Sequence, residues 1–158
     1  MARVNIAING FGRIGRAFFK TAFDSAPELE FIAINDLADL EQLVYLLKYD
    51  SVYGRWGKEV KTESGFLIVD GKKIKFLQEE EPAKLPWRDL KVDIVLESTG
   101  IFESFEKAKV HLDAGAKRAI ISAPAKDEET EWGKTVLPGV NNEDFAKCVV
   151  SSNGSCTT

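Results

Sequence analysis

Two short stretches of this chain hold residue types whose spacing can do chemistry. In "INGFGRIGR" (8–16), glycines stand at Gly10, Gly12 and Gly15, directly after the apolar run "VNIAI". Glycine inside a helix costs about 1 kcal/mol relative to alanine, so three of them at a strand-to-helix junction need a reason. The second stretch, "SSNGSCTT" (151–158), puts Cys156 just past an apolar run, where a helix could begin. A helix N-terminus favours the thiolate, the form of cysteine that attacks a carbonyl. Cys148, inside "KCVV", reads instead as a small buried hydrophobe.

Asp36 ties the glycines to a class of ligand. It ends the next apolar run, "FIAIND", 21 residues after Gly15. A Gly-x-Gly-x-x-Gly between strand and helix, with an acid about 20 residues further on, is the dinucleotide-binding fingerprint. Gly10 permits the tight turn, Gly12 leaves no side chain over a pyrophosphate, and Gly15 lets the helix pack close to the strand. The phosphates then lie on the helix N-terminus, where the dipole favours anions. Asp36 can accept hydrogen bonds from ribose hydroxyls. A 2′-phosphate would face a like charge, costing roughly 4 kcal/mol at ~4 Å and an effective dielectric of about 20. No Arg or Lys follows Asp36 closely, so NAD is expected rather than NADP. The competing reading of Asp36 is a turn or helix-capping aspartate. Arg13 and Arg16 also fit two readings, as help at the pyrophosphate or as a solvated face continuing to Lys20.

The elements that must position these residues follow from periodicity. "RVNIAI" (3–8) reads as a strand, 12–24 as a helix with Ile14, Phe18 and Ala22 on one face, and 29–34 as a second strand. Residues 39–49 read as a helix with Leu40, Leu43, Val44 and Leu47 clustered. Residues 66–78 form a hairpin whose turn is Asp70-Gly71. Strands are expected at 92–98, 117–123 and 147–152, and a helix at 104–115 with Ser104 as N-cap and Gly115 as stop. The run "EEEP" (79–82) and residues 124–135 read as solvated loop. Strands alternating with helices imply a parallel sheet covered on both faces. The expected fold is therefore α/β, a Rossmann-type doubly wound, mostly parallel sheet with an inserted β-hairpin.

Bulk properties narrow the partners. The 158 residues suit one domain, here a dinucleotide-binding domain spanning 1–158. A net charge of −4 weighs against nucleic acid as a partner. No apolar run nears the ~20 residues that span a bilayer, and the opening "MARVNIAI" does not read as a signal peptide. The two cysteines form neither a disulfide framework nor a zinc spacing, so a cytoplasmic location and no metal are expected.

The chain resembles the N-terminal, NAD-binding part of the phosphorylating glyceraldehyde-3-phosphate dehydrogenase family. The resemblance covers essentially the whole sequence and rests on "INGFGRIGR", "INDLADLEQLVYLLKYDSVYGR", "VDGKKIKFLQ", "ESTGIF", "AGAKRAIISAPAKD", "PGVNN" and "SSNGSCTT". It implies that Cys156 is the nucleophile, forming a thiohemiacetal and then a thioester that phosphate cleaves. It implies that Arg13 and Ile14 contact the cofactor through their backbone and that Asp36 holds the adenosine ribose. Thr99 and Ser122 would line the nicotinamide side, while Ser155 and Thr157 would bind substrate phosphate. Two departures stand out: many members carry a basic residue where Glu80 stands, and Gly154 replaces the usual alanine, loosening the turn. The family's second half, with its catalytic histidine, lies outside these residues. The only histidine, His111, reads as a surface or half-buried residue of the 104–115 helix. Three readings follow. The chain is the cofactor half of a dehydrogenase, acting with a catalytic half in cis or in trans. Or it is a stand-alone NAD-binding module. Or it is an interaction fragment with a vestigial site, against which the intact glycines and Asp36 argue. An apolar patch left by the missing half would favour self-association.

Overall fold

The β-branched and aliphatic runs form strands and the amphipathic stretches form helices. In the computed structural model, which describes residues 3–156, the chain opens with β1 (Val4–Asn9), α1 (Arg13–Ser25), β2 (Leu29–Asn35) and α2 (Leu40–Lys48). Asp39 starts α2, its carboxylate accepting the Gln42 N–H at 3.1 Å. An antiparallel section follows: β3 (Tyr49–Asp50) with β4 (Gly54–Arg55), then β5 (Val60–Glu63), β6 (Phe66–Val69) and β7 (Lys72–Leu77). Next come β8 (Ile94–Glu97), the short helices α3 (Phe105–Ala108) and α4 (Val110–Asp113), and β9 (Arg118–Ile121), β10 (Gly133–Thr135) and β11 (Val150–Ser152).

Among the described residues one sheet runs in the order β10-β11-β9-β8-β1-β2-β7-β6-β5. All its neighbours are parallel except the β5–β6 and β6–β7 pairs. This is the expected Rossmann-type α/β sheet with its inserted hairpin. No helix among the described residues is long and apolar enough to cross a membrane.

The strands alternate between two faces. Ile6 and Ile8 of β1 join Phe11, Phe19, Phe31, Leu43 and Leu47 beneath α1 and α2. Phe19 is fully buried, its ring centroid 4.7 Å from Phe31 and 5.6 Å from Phe11 in edge-on geometry. Ala7, Ala33 and Val95 point the other way, against Leu85, Trp87 and Val92. The β1–β2 register slips once: Ile6 pairs with Phe31 but Ala7 pairs with Ala33, which leaves Ile32 as an extra residue.

Several expectations are corrected. The buried face of α1 runs through Gly15, Phe19 and Ala22, and Ile14 is 47% exposed. The cause is Gly15: it lies so close to the Gly10 carbonyl that an added Cβ would collide with it, and this contact sets the helix rotation. The 39–49 helix stops at Lys48 because Tyr49 enters β3. The 104–115 helix is two four-residue turns meeting at Lys109. Ser104 Oγ accepts the Lys107 N–H at 3.2 Å, and Asp127 accepts the Phe105 N–H at 2.8 Å. The strands β3, β4, β5 and β10 are too short or too mixed in composition to show a period of two.

Candidate functional site

Parallel strands present their C-terminal ends on one edge of the sheet, and every described candidate lies there. Gly10 follows β1, Asp36 follows β2, Thr99 follows β8, Ser122 follows β9, and Ser155 and Cys156 follow β11. From β1 the chain winds outward to β2 on one side and to β8 on the other, the arrangement that opens a crevice at strand ends. A cleft of about 400 Å³ lies there, lined by Asn9, Gly10, Gly12, Asn35, Asp36, Glu80, Ser98, Thr99 and Phe102, among others. Ser122 is half-buried and outside that lining; its N–H donates to the Glu97 carbonyl at 3.0 Å.

The glycine loop is built for close approach. Gly10 has φ +94°, and an added Cβ would sit 2.6 Å from the Ser98 carbonyl carbon and the Thr99 nitrogen. Only glycine meets both demands at once. Around Gly12, by contrast, an added Cβ would meet nothing within 4 Å, so this position opens onto the cleft. No side chain caps the first turn of α1 and no acid stands in it, which leaves its positive end available to an anion. Arg13 and Ile14 are exposed at that turn. Arg16 is not: its Nη1 donates to the Phe11 carbonyl at 2.8 Å, and burial lowers its pKa while Asp50 and Asp36 push it back up.

Asp36 does two things. Its Oδ2 accepts the Phe11 N–H at 2.6 Å, and its Oδ1 accepts the Ala38 N–H at 2.9 Å. It is thus a turn aspartate that staples the end of β2 to the glycine loop, and it also lines the cleft. The two readings of Asp36 are compatible. Glu79, in the run read as solvated, is half-buried. Its N–H donates to Asn35 Oδ1 at 2.8 Å and its carbonyl accepts Asn35 Nδ2 at 2.9 Å. That amide clamp holds Glu80 at the cleft rim on the β2–β7 side.

From Asn9 and Asn35 in the cleft lining, a buried polar network that sequence reasoning missed runs into the core. Asn35, Asn9 and Glu97 are register partners across β2, β1 and β8, so their side chains form one row. Asn35 Nδ2 donates to Asn9 Oδ1 at 2.8 Å, and Asn9 Nδ2 donates to Glu97 Oε2 at 2.7 Å. His111 Nε2 meets the same Oε2 at 2.7 Å, and Trp87 Nε1 donates to His111 Nδ1 at 3.1 Å. An indole N–H can only donate, so Nδ1 is the acceptor and Nε2 carries the proton. The expectation of a surface or half-buried His111 is therefore corrected: it is fully buried, paid with two side-chain hydrogen bonds. The one signal available was that the runs "VNIAIN", "FIAIN" and "IVLE" all end on a polar residue.

Past β11 the chain turns at Gly154, whose φ of +76° suits glycine. Ser152 Oγ anchors this turn: it donates to the Ala123 carbonyl at 2.6 Å and accepts the Gly154 N–H at 3.1 Å. Ser155 is half-buried and Cys156 is exposed. Cys148 is 2% exposed and sits beside the Phe145 carbonyl. Both thiols are free. Thr157 lies outside the described residues.

The sheet order, the glycine loop and the cleft at the strand ends define the Rossmann class of α/β domain. Residues 4–105 match the family described as "Glyceraldehyde 3-phosphate dehydrogenase, NAD binding domain", and the chain belongs to that family. Among curated relatives it is similar to glyceraldehyde-3-phosphate dehydrogenase 1 of Streptomyces arenae, at 50% identity over 157 residues, 98% of this chain and 46% of the relative. The Thermotoga maritima glyceraldehyde-3-phosphate dehydrogenase is 50% identical over 160 residues, all of this chain and 46% of the relative. The Clostridium acetobutylicum glyceraldehyde-3-phosphate dehydrogenase is 49% identical over 154 residues, 97% of this chain and 45% of the relative. The chain thus spans about half the length of the curated relatives it matches.

Proposed function

We propose that these residues form the NAD-binding half of a phosphorylating glyceraldehyde-3-phosphate dehydrogenase of glucose metabolism. One observation carries the cofactor assignment: the Asp36 carboxylate is fixed at the tip of β2, in the same cleft as the open position at Gly12. The site fits a dinucleotide. Gly10, Gly12 and Gly15 with the backbone of Arg13 and Ile14 receive the pyrophosphate. Asp36 receives the adenosine ribose, and Thr99 and Ser122 flank the nicotinamide. NAD, when bound, supplies the hydride acceptor. Cys156 is the nucleophile we assign to the aldehyde, with Ser155 and Thr157 as the phosphate-binding neighbours. Free thiols fit a reducing, cytoplasmic setting.

A second reading, a stand-alone NAD-binding module, draws on His111. The sequence has one histidine, and it is committed to Glu97 and Trp87 rather than to Cys156. Turnover on the first reading therefore needs a base from the family's catalytic half, joined in cis or added in trans. Titration calorimetry with NAD and NADP tests the shared core of both readings. NAD is expected to bind and NADP to bind at least about tenfold more weakly, because a 2′-phosphate meets Asp36. Equal binding of the two, or no binding of either, overturns the assignment. Adding the relatives' second half then separates the two readings: dehydrogenase activity that appears only with it supports the first.

A further inference from the structure

The buried network is more elaborate than support for a strand end requires. Glu97 is 2% exposed and its carboxylate faces four donors. Oε2 is held from below by His111 and from the side by Asn9, each at 2.7 Å. Oε1 accepts the N–H of the cleft-lining Thr99 at 2.9 Å and its Oγ1–H at 2.5 Å. Donor directions are set along the whole chain: Trp87 imposes the His111 tautomer, and Asn35 imposes the orientation of the Asn9 amide. Thr99 Oγ1 in turn accepts the Ile101 N–H at 3.1 Å. The first turn after β8 is therefore held by one buried acid through both the backbone and the side chain of Thr99.

The cleft has two ends. Asp36 and Glu80 stand on the β2–β7 side of the glycine loop, and Ser98 to Phe102 stand on the β8 side. A dinucleotide with its pyrophosphate at Gly10–Gly12 and one ribose at Asp36 must carry its other half over β8. The geometry points to Glu97 as a positioning residue chiefly for that half: it holds Thr99 at the nicotinamide end directly, and it reaches the adenosine rim only at two removes, through Asn9 and Asn35. This inference rests on reading the cleft as an NAD site.

Glu97→Gln tests it. The amide keeps the shape but turns one acceptor into a donor. Because Trp87 and Asn35 forbid His111 and Asn9 from reversing, a donor pair must then face the new NH₂. The 158-residue chain and the variant are titrated by calorimetry with NAD and with ADP-ribose, which lacks the nicotinamide. The expected result is an NAD Kd raised about tenfold with the ADP-ribose Kd within about twofold. Thr99→Val, which leaves the buried acid in place and removes the hydroxyl that donates to it and accepts the Ile101 N–H, is expected to show the same selective loss if Glu97→Gln does not fold. A lower Tm with equal weakening of both ligands, or unchanged NAD binding in both variants, overturns the proposal while the site reading stands. If the unaltered chain binds neither ligand, both fall together.

Discussion

The two faces of this sheet are built from the same strands on different principles. Under α1 and α2 the inward residues are large and apolar, and Phe11, Phe19, Phe31 and Trp56 meet edge to face. On the other face the strands offer Ala7 and Ala33, and the space is taken by Trp87 and His111, which reach Glu97 and, through it, Asn9. The first face holds its shape by area and contact, which tolerate small shifts. The second holds it by directed hydrogen bonds, which do not. The difference places rigidity where the cleft floor needs it and cohesion where only bulk is needed.

The comparison can be broken at its apolar side first. Phe19→Ala should cost about 3–5 kcal/mol in urea unfolding, through lost burial and an unfilled cavity. The NAD-to-ADP-ribose affinity ratio should not change; a change would mean the two faces are coupled. Trp87→Phe keeps most of the ring but strands His111 Nδ1 without its donor. A loss of about 1–3 kcal/mol in stability is expected. Unlike Phe19→Ala, this change should weaken NAD more than ADP-ribose, because it frees the His111 tautomer.

Asp36→Ala sharpens the contrast from the cleft side. It removes the ribose ligand of the proposed site and the staple to Phe11, so NAD should weaken by about 1–2 kcal/mol and the preference over NADP should narrow. Calorimetry with both dinucleotides reads this directly. The smallest effect belongs to Asp93, at the opposite end of β8 from the cleft. Lys117 first, and then the Asn5 N–H, hold its carboxyl below the ordinary 3.8. A depressed native pKa stabilises fully above the ordinary value and loses that contribution as pH falls toward the native one. Asp93→Asn should therefore flatten the acid limb of the stability curve below ~pH 4, by at most about 1 kcal/mol for a partly exposed pair. Ligand binding at neutral pH should be unaffected.

The central strands, the glycine loop and Asp36 were legible in the sequence because each is a local pattern: an apolar run, a spacing, an acid at a run's end. The polar row was not. Asn9, Asn35 and Glu97 are neighbours only through register, which no single strand records. His111 sits in "KAKVHLDAG", whose polar surroundings read as surface. Its burial comes from Trp87, 24 positions earlier, and from Glu97, 14 positions earlier. Glu79 looked solvated within an acidic run because the amide that clamps it, Asn35, is 44 positions away. The buried face of α1 is not legible either, because spacing alone cannot tell which stripe turns inward when a glycine contact sets the rotation.

The slip at Ile32 is a change of phase. Without it, Ala7 would pair with Ile32 and Asn9 with Ile34, and Asn35 would point toward the aromatic side. One surplus residue thus lets Phe31 and Ile34 both turn to the helices while Ala33 and Asn35 turn to the opposite face. Deleting Ile32 would remove the surplus and keep the phase: Ala33 would follow Phe31 directly and still pair with Ala7, so Asn35 and Asp36 would hold their places beside the glycine loop.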